Sequence, residues 1–333
     1  MVKQQYRLVG NHSAVKVCNW TKSLLRGGGG CYKLKFYGIR SHQCLQMSTC
    51  MFCANRCVFC WRGEKAPVSK TWYGPIDDPM KIIDESLLAQ QKLLYGFKGN
   101  PKTKQKLYGE STQVRHAALS LVGEPIAYPK INEILEDFHK RKISTFVVTN
   151  AQFPKQIKKI KNVTQLYISL DAPTKEALKS IDRPLFPDYH KRLLASLKEF
   201  SKKRFRKCIR LTLIKGLNDK EEHVEKYAEL IRLGNPEFIE IKGYVNVGAS
   251  RKYLGMKDMP WHKDIKEFSK NLQKAMPEYE LVDDHKPSKV VCMMKKSLKG
   301  KRFIDFKKFF DAANKGKVAV AENYSSKRMQ PNC

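Results

Sequence analysis

The strongest chemical signal in the chain is a run of three cysteines, Cys53-Ala-Asn-Arg-Cys57-Val-Phe-Cys60. Thiolates this close on one loop can wrap a single metal centre. An iron–sulfur cluster normally takes four cysteine ligands. Three leave one iron open, and an open iron can chelate the amino and carboxylate groups of a substrate and pass it one electron. Cys50 supports an alternative, because Cys50, Cys53, Cys57 and Cys60 together would give a closed zinc site of four thiolates. Buried free thiols are a further reading. Upstream, Cys18, Cys31 and Cys44 follow one another at equal intervals of 13. They are either the ligands of a second cluster with its own open iron or three ordinary thiols. Cys208 falls in an apolar run and reads as core. Cys292 and Cys333 carry no partner motif.

Charge surrounds these cysteines. Residues 1–63 hold seven of the ten cysteines and ten Lys or Arg, with no Asp or Glu. The whole chain of 333 residues carries a formal net charge of +32. Such an excess favours a polyanion, either nucleic acid or anionic lipid. Two later runs are also basic, Lys198–Lys215 and Lys289–Lys308. Simple solvation of surface lysines is the alternative. At 42% hydrophobic residues the chain can bury a core, which excludes wholesale disorder. No apolar run reaches the ~18 residues of a membrane span. The first residues lack the apolar stretch of a signal peptide, so a cytoplasmic chain with reduced or metal-bound cysteines is expected.

The elements that must position these groups alternate. Apolar strands are expected at His116–Val122, Ser144–Thr149, Gln165–Leu170, Cys208–Ile214 and Phe238–Lys242, with an earlier one near His42–Met47. Helical periodicity lies between them at Pro79–Tyr95, Lys130–Lys142, Lys175–Ile181, Asp188–Lys203 and Lys220–Leu233, the last with Asp219 as its N-cap. Gly27–Gly30 and Phe97–Leu107 read as loops, and Asn323–Cys333 as a frayed tail. Six βα units make a parallel sheet, either a partly closed barrel or an open doubly wound sheet. In both, functional residues belong on loops after the strand C-termini.

The C-x3-C-x2-C spacing with an aromatic before its last cysteine resembles the signature of radical S-adenosylmethionine (SAM) enzymes. There the open iron binds SAM, and the reduced cluster cleaves it to methionine and a 5′-deoxyadenosyl radical. The match narrows further. HSAVKVCNWTKSLLRGGGGCYKLKFYGIRSHQCLQM, followed by CANRCVFCWR, resembles the archaeal tRNA 4-demethylwyosine synthases. LVGEP at Leu121–Pro125, SLDAP at Ser169–Pro173, IKGYVNVGASRKYL at Ile241–Leu254, MPWH at Met259–His262 and DDHKPSKVV at Asp283–Val291 extend the match over nearly the whole chain.

The resemblance implies an α/β fold: an incomplete (β/α)6 radical SAM barrel with an N-terminal cysteine-rich extension and a C-terminal α/β extension. The expected boundaries are 1–43, 44–290 and 291–333. It implies a carbon–carbon lyase that condenses pyruvate with N1-methylguanosine, 3′ to the anticodon of tRNA-Phe, into a tricyclic base. The hydrogen atom taken by the radical would come from the N1-methyl group. Another radical SAM RNA-modifying enzyme, or a zinc-dependent RNA-binding protein, is the competing reading.

By the same resemblance Cys53, Cys57 and Cys60 hold the SAM cluster, and Cys18, Cys31 and Cys44 a second 4Fe-4S cluster that helps bind pyruvate. Lys33 is placed to form a Schiff base with pyruvate or, alternatively, only to attract its carboxylate. Lys35 and Arg40 are the positive neighbours that would activate it. Gly123, Glu124 and Pro125 correspond to the element whose backbone meets the SAM amino group. Asn150, Ser169 and Asp171 are candidates for the SAM ribose and carboxylate. Trp61 and Arg62 are candidates to contact the substrate base or phosphate, with packing of the loop the alternative for Trp61. The basic runs would hold tRNA phosphates over the strand ends. One departure stands out: the Cys44–Cys53 interval is a residue shorter than the family pattern, and Cys50 is extra. The extra N-terminal flavodoxin-like domain of the eukaryotic relatives has no counterpart here, so an external ferredoxin- or flavodoxin-type electron donor is expected, to a monomer with no membrane association.

Overall fold

The computed structural model describes residues 5–63 and 66–330, so Cys333 lies outside the described residues. Two short strands come first, β1 (Arg7–Val9) and β2 (Ser13–Val15). Two short helices follow, α1 (Asn19–Leu25) and α2 (Tyr32–Tyr37). The repeating part contains strands β3 (Cys44–Ser48), β4 (His116–Leu119), β5 (Ser144–Thr149), β6 (Gln165–Ser169), β7 (Arg206–Leu213) and β8 (Phe238–Gly243). Its helices are α3 (Pro79–Leu94), α4 (Gln105–Ser111), α5 (Ile131–Lys140), α6 (Pro154–Lys159), α7 (Lys175–Asp182), α8 (Tyr189–Ser201) and α9 (Val224–Gly234). Then come α10 (His262–Ala275), β9 (Tyr279–His285), β10 (Val290–Lys295), β11 (Phe303–Ile304), α11 (Phe306–Ala313) and β12 (Ser325–Ser326).

Strands β3 to β8 are parallel neighbours in chain order. β2 adds antiparallel to β3 at one edge, and β10 and then β9 add antiparallel to β8 at the other. The sheet order is β1-β2-β3-β4-β5-β6-β7-β8-β10-β9, and among the described residues no pairing returns from the last strands to β3. This is an incomplete (β/α)6 barrel carrying extensions at both ends. Strand β10 crosses the expected boundary at residue 291.

Alternation along the strands divides two apolar layers. Val147, Leu166, Ile168, Ile209, Leu211, Ile239 and Ile241 pack outward against helix residues such as Leu135, Phe138, Leu197, Phe200 and Ile231. Phe146, Tyr167, Cys208, Phe238, Cys292 and Met294 pack with Phe36 and Tyr37 of α2 and with Phe309 and Tyr324 of the C-terminal extension. Helix α2 and the C-terminal extension therefore fill the lower barrel. Helix ends follow their sequences. Asp78 caps α3 by accepting from the Met80 and Lys81 amides, with Pro79 at the first helical position. Thr174 caps α7 through the Ala177 amide at 3.1 Å.

Four expectations change. Asp219 does not cap α9, because a 3-10 turn at Glu221–His223 precedes that helix and Asp219 Oδ1 accepts from the Gly216 amide instead. The Phe97–Leu107 segment is not all loop, since α4 starts at Gln105. The described part of the Asn323–Cys333 segment, up to residue 330, is not frayed. Tyr324 is buried, its hydroxyl accepts from the Arg206 amide at 2.7 Å and donates to the Thr164 carbonyl at 2.9 Å, and β12 pairs with β11. Finally, Lys198–Lys207 lies where α8 ends and β7 begins. A helix that returns between parallel strands ends at their N-termini, so these lysines face away from the strand ends that carry the cysteine loop. Lys295–Lys308 follows the antiparallel β10 to the same end.

Candidate active site

The loop after β3 carries Cys53, Cys57 and Cys60, and the ends of β4, β5 and β6 supply its neighbours. The three cysteines line one cavity of about 300 Å³ together with Asn55, Arg56, Arg62, Arg183 and Tyr253. Among the described residues no three His, Cys, Asp or Glu side chains close on the point a single ion would need. The thiols instead border a chamber, a donor set suited to a larger soft group. Burial pushes the Cys53 thiol up to about 12 and the Cys57 thiol well above its ordinary value. A group that binds them as thiolates must therefore displace protons.

Cys50 does not share that chamber. Its Sγ faces the Phe52 carbonyl at 3.6 Å, and the side chain packs with Phe52 and Ala127. The closed four-thiolate arrangement is not formed.

Gly123 brings two loops together. Its φ is +66°, and a Cβ there would lie 2.1 Å from the Cys50 carbonyl oxygen and 2.7 Å from the Phe52 carbonyl oxygen. Only glycine permits this approach. It lets the Glu124 amide donate to the Phe52 carbonyl at 2.8 Å. The buried Glu124 carboxylate accepts from the Asn150 amide at 3.0 Å through Oε2, while Oε1 has no partner. Burial raises this carboxyl to about 7. Pro125 opens the short 3-10 turn that follows. The Asn150 side chain then donates to Cys53 Sγ at 3.3 Å. Glu124, Asn150 and Cys53 thus form one connected unit.

Asp171 lies just past the end of β6 and is buried. Its Oδ1 accepts from the Thr212 amide at 3.1 Å, and burial raises it to about 6. Its charge acts on Asp182, whose carboxylate bonds Cys57 and accepts from Asn55 at 3.4 Å. Burial first, then Asp171, holds Asp182 well above the usual carboxylate range. Ser169 ends β6 opposite Arg210 of β7. Trp61 packs the loop: it stacks on Tyr6 with centroids 5.8 Å apart, and the Lys16 ammonium lies 4.8 and 5.2 Å from the two rings. Arg62 donates to the Met51 carbonyl at 3.0 Å.

The other cysteine set gathers inside the barrel. Cys18 and Cys31 occupy the N-caps of α1 and α2, and Cys44 opens β3. Burial pushes the Cys31 and Cys44 thiols up to about 12, with neighbouring Cys18 raising both further and Lys33 opposing it. The half-buried Lys33 ammonium lies 4.4 Å from the centre of the Tyr167 ring and 5.8 Å from that of Phe146. Lys35 is not its neighbour: its ammonium pairs with Asp283 at 2.7 Å. Arg40 lines a different cavity, below the barrel. The positive charges inside are Arg210 of β7 and Lys242 of β8, beside Glu240, and the motif reading missed all three. The available signal was their place at every second position of otherwise apolar strands.

Residues 47–229 match the radical SAM superfamily, and residues 233–295 match the wyosine base formation family. A structure of TYW1 with a lysine–pyruvate adduct bound is 34% identical, with a TM-score of 0.80, covering 92% of this chain and 96% of that one. An archaeal TYW1 crystal structure is 31% identical, with a TM-score of 0.72 over 89% of this chain and 94% of that one. The chain belongs to the TYW1 family of radical SAM proteins. S-adenosyl-L-methionine-dependent tRNA 4-demethylwyosine synthases from Oryza sativa subsp. japonica and Mus musculus are 47% and 48% identical over 97% and 90% of this chain. The chain spans only 50% and 41% of their lengths. Family membership implies SAM and a 4Fe-4S cluster. Among the described residues no helix is long and apolar enough to cross a membrane.

Proposed function

We propose that this chain condenses pyruvate with N1-methylguanosine 3′ to the anticodon of tRNA-Phe, forming tricyclic 4-demethylwyosine. The observation that carries this reading is Lys33, inside the barrel against Tyr167 and among Cys18, Cys31 and Cys44. A family member has been solved with a lysine–pyruvate adduct. A barrel lysine held against an aromatic face has the nucleophile and the restricted geometry that such an adduct needs.

Cys53, Cys57 and Cys60 would hold the SAM-binding 4Fe-4S cluster, and Cys18, Cys31 and Cys44 a second one. When bound, cluster and SAM supply the one-electron chemistry that starts the reaction. The protein's own part is placement. Gly123 keeps the loop after β4 pressed on the cysteine loop, so that backbone from Gly123 to Pro125 can meet an amino group. The unpartnered Glu124 oxygen is a ready acceptor in the same place. Asn150, Ser169 and Asp171 line the strand ends, where ribose hydroxyls and a carboxylate would lie. Arg56, Arg62 and Arg183 edge the chamber and suit phosphates of a loop whose base has been turned out. In this reading residues 1–43 contribute to the second cluster, 44–290 form the SAM barrel, and 291–333 are a basic C-terminal extension. A monomer working in the cytoplasm would draw electrons from a separate small carrier.

The test is anaerobic incubation with SAM, a reductant, carbon-labelled pyruvate and tRNA bearing N1-methylguanosine. Mass spectrometry should find a labelled tricyclic base. Formation of 5′-deoxyadenosine with no label in the tRNA would replace this reading with another radical SAM modification of RNA.

A further inference from the structure

The barrel interior holds more positive charge than its acids neutralise. In β7, Cys208 packs in the inner layer while Ile209 and Leu211 pack outward, which turns Arg210 inward. In β8, Phe238 is inward while Ile239 and Ile241 are outward, which turns Glu240 and Lys242 inward. Ladder pairing sets Ser169, Arg210 and Glu240 side by side, with Thr212 and Lys242 one layer above. The Arg210 guanidinium lies 5.9 Å from the centre of the Tyr167 ring, the ring that Lys33 approaches. Three cations, Lys33, Arg210 and Lys242, thus share the chamber with two carboxylates, Glu240 and Asp171, both of which act on Arg210.

Both carboxylates are already engaged: Asp171 accepts from the Thr212 amide at 3.1 Å. Glu240 accepts from the Tyr32 and Tyr37 hydroxyls, each at 2.9 Å. Among the described residues no carboxylate lies within ion-pair distance of Arg210 or Lys242; Arg210 bonds the Tyr32 hydroxyl, and the Lys242 ammonium donates to the Ser288 carbonyl at 3.1 Å. Burial and Arg210 together lower Lys242 to about 8. A buried ammonium with no carboxylate at ion-pair distance is costly, and an anion bound between it and Arg210 relieves that cost. A guanidinium beside an ammonium also matches a planar carboxylate better than a single charge does.

We propose that Arg210 and Lys242 bind the carboxylate of the 2-oxo acid and thereby turn its carbonyl carbon toward Lys33. This rests on the proposed role of Lys33. Condensation then forms a C=N bond between Lys33 Nζ and the carbonyl carbon. The carbonyl oxygen leaves as water with both hydrogens of the neutral amine, and no oxidant or reductant is consumed. Glu240, tied down by two tyrosines, repels a carboxylate from the lower position and so favours a single orientation. Selection for a charged acid over its neutral amide follows from the same pair.

The test measures binding of pyruvate and of pyruvamide, its uncharged analogue, by ligand-observed NMR to the anaerobically purified protein. Borohydride trapping read by intact mass runs alongside. Arg210→Gln should weaken pyruvate at least tenfold and Lys242→Met about fivefold, with pyruvamide unchanged and Arg210→Lys intermediate. Lys33→Ala should lose trapping yet keep pyruvate binding within about threefold. Unchanged pyruvate affinity in both Arg210→Gln and Lys242→Met overturns the inference, because the cations would then serve only the cysteine set. Equal loss of pyruvate and pyruvamide also overturns it, since that marks damage to the fold. A wild-type chain that binds no pyruvate overturns it outright. If binding depends on Arg210 but pyruvate carbon never enters tRNA, the proposed reaction fails and this site stands.

Discussion

The Asn150 side chain donates a hydrogen bond to Cys53 Sγ at 3.3 Å, while the Asn150 backbone amide donates to Glu124 at 3.0 Å. One residue at the end of β5 therefore links the cysteine loop to the loop after β4. An amide hydrogen facing sulfur favours the thiolate that a metal centre requires. Asn150→Asp would put a carboxylate against that sulfur in a buried setting. Iron bound after anaerobic reconstitution should then fall below half of the wild-type value. Asn150→Ala removes one hydrogen bond, worth about 1 kcal/mol, and should keep most of the iron while weakening SAM several-fold in equilibrium binding. Wild-type iron in Asn150→Asp would show that the contact has no part in holding the centre.

Gly123 makes a sharper case. An added Cβ would overlap two backbone carbonyl oxygens that cannot swing aside as a side chain can. The positive φ adds its own strain for any other residue. Gly123→Ala should lower unfolding free energy by about 3 kcal/mol, in the range of the larger single-site effects. It should also release iron from the Cys53–Cys60 loop. Calorimetry and iron analysis check both, and a variant with wild-type melting and iron would refute the close approach.

Much of this was legible in the sequence, and what was missed follows a pattern. Ser144–Thr149 is the strand that alternation and β-branching predict, and all six parallel strands lie where short apolar runs mark them. The cysteine loop, the glycine–glutamate–proline turn and Asn150 follow strand ends, so topology alone brings them together. Arg210, Glu240 and Lys242 were passed over because charge in an apolar strand reads as a solvated face, whereas a barrel gives those positions an interior. The tail was misread for a similar reason. Its composition is polar, but Tyr324 and Ser325 answer the buried Arg206, whose guanidinium donates to Ser325 Oγ at 2.5 Å and to the Arg302 carbonyl at 2.7 Å. No local pattern reports a partner more than 100 residues away. Asp182 escaped notice because it ends a helix, and only the return of α7 to the cysteine loop brings it to Cys57.

Cys50 separates the two metal readings without reference to activity. Its thiol is buried among Phe52 and Ala127, away from the chamber of Cys53, Cys57 and Cys60. Cys50→Ala should leave iron content and visible absorption unchanged and cost about 1 kcal/mol of packing. Cys57→Ala should abolish the absorption of that centre. If Cys50→Ala instead releases a stoichiometric metal, Cys50 is a ligand and the loop must rearrange to bring it in.

His139, far from the cysteines, gives the fold a defined pH response. Burial lowers its pKa from 6.5 to about 3, and its Nε2 lies 2.8 Å from Thr145 Oγ1. Between those values the unfolded chain binds a proton that the folded chain refuses. Stability therefore rises with pH across that window and falls as the solution is acidified below about 6.5. One such group makes the fold about 2 kcal/mol less stable at pH 5 than at pH 7. His139→Gln can keep the bond to Thr145 but cannot titrate. Urea unfolding at the two pH values should show the difference between them shrink by about 2 kcal/mol in His139→Gln. His116, lowered in the same direction by burial, contributes equally to wild type and variant and so cancels. An unchanged difference would mean that His139 takes up its proton inside the folded chain.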